Sequence, residues 1–317
     1  MSEDGLAVVA LGGNAILKAG QPATEKVQMA NLEQVFQSLL PLLSTYPRLV
    51  ITHGNGPQVG NILLRNQMCH VDIPPMPLDV CVAESQGQIA YLAMQAWDRA
   101  CTRSGTQVPF LSMITRTVVS EDDVSFRAPS KPIGPYYNER RARELGREKG
   151  WTFAPDPKRG GFRRTVPSPD VISLVEEEAL RELCSSTQAP FALLCCGGGG
   201  VPVVREKGGY KGVEAVVDKD LASSRLATVL HADILIMVTD VEAVYLDFTS
   251  DNARPLRKAS VSEIRRHAAE GHFPPGSMGP KTEAAARFVE SSGRRAVITS
   301  AERLMDALKG KAGTTVE

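Results

Sequence analysis

AVVALGGNAIL, residues 7–17, is the stretch that decides the fold. Ala7 to Leu11 is an apolar run with no polar alternation, which reads as a strand buried on both faces. It breaks at once into Gly12, Gly13 and Asn14, where side chains almost vanish and backbone N–H groups can face a ligand. Two readings stand at this point, a phosphate seat and a tight turn. The pattern is not a dinucleotide fingerprint, and GxxxxGK[ST] occurs nowhere in the chain.

The same grammar recurs outward from this stretch. Residues 48–52 (RLVIT) predict a second strand, followed by HGNGPQVGN with Gly54, Gly56 and Gly60. That spacing is GxGxxxG, one residue longer than the Rossmann pattern, and it follows the second strand rather than the first. Pro57 sits just inside the predicted helix, so a helix start and its anion-favouring amides point back at the glycines. Strand 191–196 (FALLCC) runs into four glycines at 197–200, and strand 233–238 (DILIMV) ends at Thr239–Asp240. Helices are predicted at 24–43, 82–101, 171–184, 221–230, 262–270, 281–291 and 301–308. Further strands are predicted at 108–120, 295–299 and 313–316, with a proline-rich loop at 70–79. Apolar strands alternating with helices predict an α/β fold, an open and mainly parallel sheet covered on both faces. Residues 121–170 break the rhythm. They are charged and proline-punctuated, with one clear element, a polar helix at 138–149, so they form either a protruding subdomain over a site or a surface insertion.

Bulk composition narrows the function. The 317 residues can bury a large core, and 36 Lys+Arg against 36 Asp+Glu give a formal net charge of zero. A neutral chain argues against a dedicated nucleic-acid or anionic-membrane surface, because both draw affinity from positive excess. The cluster KRGGFRR at 158–164 is isolated within that neutral chain. No basic, apolar leader and no 18-residue apolar run is evident, and the six cysteines lack CxxC spacing, so a cytoplasmic protein with reduced thiols is expected. The five histidines (53, 70, 231, 267, 272) show no zinc-like grouping.

Ligands of such sheets collect beyond the C-terminal ends of the strands. Four glycine-rich breaks are expected there: Gly12–Asn14, Gly54–Gly56, Gly197–Gly200 and Gly276–Gly279. Phosphoryl transfer also needs cations, because charge spreads over the moving oxygens. The lysines beside chain breakers are Lys131 in SKPIGP, Lys211 before Gly212, Lys219 between Asp218 and Asp220, and Lys281 after Gly279–Pro280. Lys281 in a first helical turn opposes the helix dipole, so it is either solvated or compensated by an anion. Asp218 and Asp220 fit helix capping or the orientation of lysines. Asp240 fits a cap or a ribose contact, and His53 heads its loop as a candidate anion donor.

Jointly, ALGGNA (10–15), HGNGPQVGN (53–61), KPIGP (131–135), CGGGG (196–200), KGVEAVVDKD (211–220) and GHFPPGSMGPK (271–281) make the chain resemble the carbamate kinases of the amino acid kinase family, nearly end to end. The resemblance implies a three-layer fold, with an N-terminal lobe, 1–205, holding the small substrate and the dimer contact. Within it 121–170 is a lid, and 206–317 is the nucleotide-binding lobe. It implies a homodimeric enzyme moving phosphate between ATP and carbamate, with Mg2+ carried by ATP or ADP rather than held directly by the protein. Gly12, Gly13 and Asn14 would bracket the transferred phosphate, with Gly54, Asn55, Gly198 and Gly199 beside them. Lys131 would reach in from the lid. Lys211 and Lys281 would neutralise the phosphates, with Asp220 orienting lysines. Lys219, Thr239, Asp240, Tyr245 and Met278 would lie near the nucleotide. Carbamate is already an anion, so no general base is expected. Many members of the wider family carry a lysine two residues before the glycine pair, where this chain has Ala10. That lowers acetylglutamate, aspartate and glutamate 5-kinase readings. A related kinase of another small acid and a non-catalytic nucleotide sensor are the alternatives.

Overall fold

Leu6–Leu11 takes the centre of an eight-stranded sheet in a computed structural model that describes residues 5–18, 20–69, 71–156, 160–186, 190–248, 252–274, 276 and 278–317. From one edge to the other the strands run Lys258–Ala259, Thr314–Val316, Ala296–Thr299, Ile234–Val238, Leu6–Leu11, Arg48–His53, Phe191–Leu194 and Phe110–Ser112. All neighbours pair in parallel except Ala296–Thr299 with Thr314–Val316. The opening strand explains why alternation is missing from its sequence. Leu6, Val8 and Ala10 face one hydrophobic core, and Ala7, Val9 and Leu11 face the other. The first core is roofed by helices Lys219–Val229 and Met278–Ser292, the second by Glu25–Leu39 and Leu78–Ser104.

Residues 121–170 hold more regular structure than their composition predicts. Lys131–Tyr137, Phe162–Val166 and Thr152–Pro155 make a three-stranded antiparallel sheet in that order, beside helix Glu139–Lys149. Ile133 and Val166 join Val59, Ile62 and Leu63 of helix Gly56–Met68 in a third, small core, so the subdomain is seated on that helix. Lys158 and Arg159 of the basic cluster, and His70, lie outside the described residues.

Two other expectations are corrected, and one hairpin was not expected. The single strand at 108–120 is two, Phe110–Ser112 on the main sheet and Arg116–Val118 in a separate four-stranded sheet. Gln86 enforces the break, its side chain accepting from Thr115 N at 3.0 Å and donating to Thr115 O at 3.2 Å. The helix at 171–184 starts only at Glu177, because Ile172 N and Val175 N donate to Val118 O and Arg116 O and hold the chain as strand Ser173–Leu174. The hairpin of Val201–Glu206 with Gly209–Gly212 carries no alternation that marked it in the sequence.

The four glycines at 197–200 fold the chain sharply back beneath the sheet edge. Gly198, Gly199 and Gly200 have left-handed φ of 65°, 88° and 84°, and even Cys196 is held at 54°. A Cβ on Gly200 would strike Thr117 Oγ1, and one on Gly198 would strike the Asn55 amide. Gly200→Ala combines an unfavourable φ with that collision, so it should lower folding stability by about 2–3 kcal/mol, read as a reduced urea midpoint at unchanged m-value.

Candidate active site

Parallel pairing brings the ends of Leu6–Leu11, Arg48–His53, Phe191–Leu194 and Ile234–Val238 to one edge, and with them Gly12–Asn14, Gly54–Asn55, Gly197–Gly200 and Thr239–Asp240. The connection after Leu6–Leu11 packs helix Glu25–Leu39 on one face and that after Ile234–Val238 packs helix Met278–Ser292 on the other, which makes this edge the topological switch point. Gly276–Gly279 is different. It follows a helix, Val261–Ala269, rather than a strand, and Pro275 and Ser277 of that loop lie outside the described residues. The glycines act by close approach. Gly12 N donates to Val238 O at 3.0 Å and Gly54 N to Leu11 O at 3.2 Å, so both amides are committed to the sheet. A Cβ on Gly54 would come within 3.3 Å of Gly13 N and 3.5 Å of Lys219 Cδ. Asn14 donates to Asp240, and Asn55 donates to Ser85 Oγ at 2.8 Å.

Around these glycines stands a five-membered charge cluster. Lys219 Nζ donates to Asp220 Oδ1 at 2.6 Å, and Lys281 Nζ to Asp220 Oδ2 at 2.9 Å. Lys131 Nζ reaches from the subdomain to Asp218 Oδ2 at 2.7 Å, while Asp218 Oδ1 accepts from Asp220 N at 2.9 Å as the helix cap. Capping and lysine orientation, left as alternatives by the sequence, are both realised: Asp218 caps the helix and holds Lys131, while Asp220 holds Lys219 and Lys281. Lys219 and Lys281 occupy first turns of their helices, Lys219–Val229 and Met278–Ser292. Each therefore opposes a helix dipole, which Asp220 compensates. Burial works to raise the Asp220 carboxyl, but Lys219 and Lys281 outweigh it and hold the group down at about 2. Asp220 is thus a fixed anion and a very weak base. Burial lowers the Lys219 ammonium against the pull of Asp220. Three ammonium groups against two carboxylates leave one excess positive charge beside two helix N-termini, an arrangement that suits a polyanion.

Lys211, expected beside Lys281, lies elsewhere. It sits on strand Gly209–Gly212 with its side chain 63% exposed, and pairs with Glu206 at 3.2 Å. Lys219, expected only near the nucleotide, takes the second position on Asp220. Its signal in the sequence was its place between two aspartates at a helix start. Thr239 donates its backbone N–H to Thr299 O at 2.9 Å, and Tyr245 lies on strand Val244–Leu246 with its ring 5.8 Å from Phe248. Met278 opens the helix that carries Lys281. A cavity of about 330 Å³ is bordered by Gly12, Asn14, Thr239 and Asp240, and one of about 490 Å³ lies between Gly56, Gly60 and Pro132, next to Lys131.

His53 is no cation. Burial drives its imidazole from 6.5 to about 4, with Lys219 adding to the effect against a hydrogen bond to Gly54 O. The unfolded chain takes up this proton below about pH 6.5 and the folded one only near 4, so the contribution to stability is complete above pH 6.5 and lost as pH falls toward 4. The loss of urea stability between pH 7.5 and 4.5 should be smaller in His53→Asn than in the parent protein.

The remaining histidines are not all scattered: His267 and His272 meet at Glu270, against the expectation of no grouping.

The sequence profile of the amino acid kinase family matches residues 5–300. The chain is 45% identical to the carbamate kinase of Thermococcus kodakarensis over 317 residues, covering 98% of both chains. It is 41% identical to carbamate kinase 2 of Staphylococcus aureus, with 98% of each covered. Among solved structures, the carbamate kinase of Giardia lamblia bound to AMP-PNP superposes with a TM-score of 0.91 at 37% identity, covering 99% of each chain.

Proposed function

The chain belongs to the amino acid kinase family, among its carbamate kinases, and on that premise we propose that it transfers a phosphoryl group reversibly between ATP and carbamate. The observation that carries this reading is the pair of ammonium groups on one buried carboxylate, Lys219 and Lys281 on Asp220, at the glycine-lined switch point. A phosphoryl group in flight carries little that needs covalent help. It needs in-line positioning and positive charge that does not have to reorganise. Asp220 supplies that preorganisation, since it holds two flexible lysine tips at fixed points before substrate arrives. Gly13 and Gly54 let the phosphate approach the backbone, and Lys131 brings a third cation from the other side.

Asp220 and His53 are poorly suited to general-base work: Asp220 stays ionised near neutral pH, and His53 is a weak, buried base. Carbamate arrives as an anion, so no general base is required. Both Asp218 and Asp220 are taken up by ammonium groups, which favours Mg2+ held on the phosphates of the nucleotide. Mg2+ there neutralises part of the phosphate charge. In this reading residues 1–205 hold the small substrate, 121–170 close over it, and 206–317 bind the nucleotide through Thr239, Asp240, Tyr245 and Met278. The six cysteines are free thiols and five are buried, which is in keeping with a reducing cytoplasm. No described helix is long and apolar enough to cross a membrane.

A homodimer is part of the proposal. Tyr91, Met94, Leu111 and Ile114 are exposed apolar side chains next to the edge strand Phe110–Ser112. Met94→Glu combined with Leu111→Glu should convert a dimer to monomer in sedimentation velocity; an unchanged sedimentation coefficient rejects this face.

The assay is ATP formation from carbamoyl phosphate and Mg-ADP. Lys219→Ala and Lys131→Ala should each lower kcat by about 100-fold or more with unchanged circular dichroism, as for loss of a preorganised donor. Lys211→Ala should stay within about 2-fold of the parent, because an exposed ion pair contributes little. A parent protein that forms no ATP overturns the proposal, and an equal loss in Lys211→Ala overturns the assignment of the cations.

A further inference from the structure

Helix Val261–Ala269 ends in a tightly wound backbone motif. Gly271 N donates to Ala268 O and His272 N to His267 O, each at 3.1 Å, with Gly271 left-handed at φ 82°. The motif folds HAAEGH, residues 267–272, back on itself and sets three side chains together. His267 Nδ1 lies 3.0 Å from Glu270 Oε2, and His272 Nε2 lies 3.4 Å from the same oxygen. The ligand atoms of the three residues all fall within 4.8 Å of one another. On the other side of its ring, His272 Nδ1 lies 3.1 Å from Asp247 Oδ1.

We propose that His267, Glu270 and His272 bind a divalent transition ion of the Zn2+ type, with Asp247 orienting His272. A tetrahedral ion with bonds of about 2.0–2.2 Å keeps its donors roughly 3.3–3.5 Å apart. The nitrogen–oxygen separations at Glu270 are within a few tenths of an ångström of that spacing, and the two imidazoles, whose ligand nitrogens lie within 4.8 Å, close on the ion as it enters. The Asp247 contact is the carboxylate–histidine–metal arrangement, in which the outer carboxylate fixes the tautomer and turns Nε2 toward the ion. Two imidazoles select a borderline-soft cation over Mg2+, so this site is distinct from the nucleotide's metal. Three protein donors leave a fourth position for water. None of the four residues belongs to the phosphate machinery. Their place in the chain gives the site a consequence: Phe273, the next residue, is buried in the main core, and helix Met278–Ser292 with Lys281 follows. A bound ion ties the turn that leads into that helix to the segment after Val244–Leu246, through Asp247.

The opposing account is a plain ion-pair cluster at a helix C-terminus, where histidines are favoured without any metal. Chelator-treated protein titrated calorimetrically with Zn2+ alone separates the two. One equivalent should bind, with millimolar Mg2+ unable to compete, and the thermal midpoint should rise with Zn2+ but not with Mg2+. His267→Ala and His272→Ala should each weaken binding at least tenfold, and Asp247→Asn by roughly tenfold, as expected for an outer ligand. Should an alanine variant fail to fold by circular dichroism, His272→Gln and Glu270→Gln carry the same comparison. Absence of Zn2+ binding in the parent protein overturns the proposal. So does binding that persists at parent affinity in His267→Ala/His272→Ala, which would place the ion elsewhere, for instance on the exposed thiol of Cys69.

Discussion

Everything at the switch point depends on one buried carboxylate. Asp220 is 3% exposed and has an ammonium group on each oxygen. Removing two lysines and an aspartate from water is costly unless each charge is matched, and the cost of one unmatched member exceeds the gain from the pair. The cluster therefore stands or falls as a unit. Its geometry also explains why two helices carry a lysine in their first turn, an unfavourable placement for either alone. The anion that offsets both dipoles sits in the first turn of one helix and receives the lysine of the other, which locks Lys219–Val229 to Met278–Ser292 at their N-terminal ends.

The architecture was legible because burial on both faces leaves a plain mark: strands without alternation, such as Ala7–Leu11 and Ile234–Met237, read as a parallel sheet. The interruption at Thr115 was not legible, because it is made by a side chain 29 residues away, Gln86, competing for the backbone. The small sheet within 121–170 was equally hidden. Its strands carry Lys131, Pro132, Arg163 and Arg164 where a core strand would carry aliphatics, and only Ile133 and Val166 join the small core on helix Gly56–Met68.

At the candidate site, glycine breaks and breaker-adjacent lysines pointed to the edge where Lys131, Lys219 and Lys281 gather, yet spacing alone gave no way to tell Lys219 from Lys211. Topology brings Lys219 to Asp220 and leaves Lys211 on Glu206. Ala10 faces the core roofed by Lys219–Val229, together with Ala222 and Leu226 of that helix. The side of the sheet from which a lysine at position 10 is missing is thus the side from which Lys219 arrives. His267 and His272 were unreadable as a pair for a related reason: a left-handed glycine, not a regular period, brings them together.

The ladder bonds of Gly12 and Gly54 have a dynamic corollary. Their amides close onto Val238 and Leu11, so the backbone of this glycine edge loosens only when the central strands separate, and it shares the opening free energy of the whole sheet. Lys131 stands on a different footing. Its subdomain has a thin core and an exposed, polar helix with only Ala142 and Leu145 buried, and it belongs to the class of units that open locally at much lower free energy. The two sides of the candidate site therefore rest on unequal supports, the glycine edge on the central ladder and Lys131 on a small peripheral core.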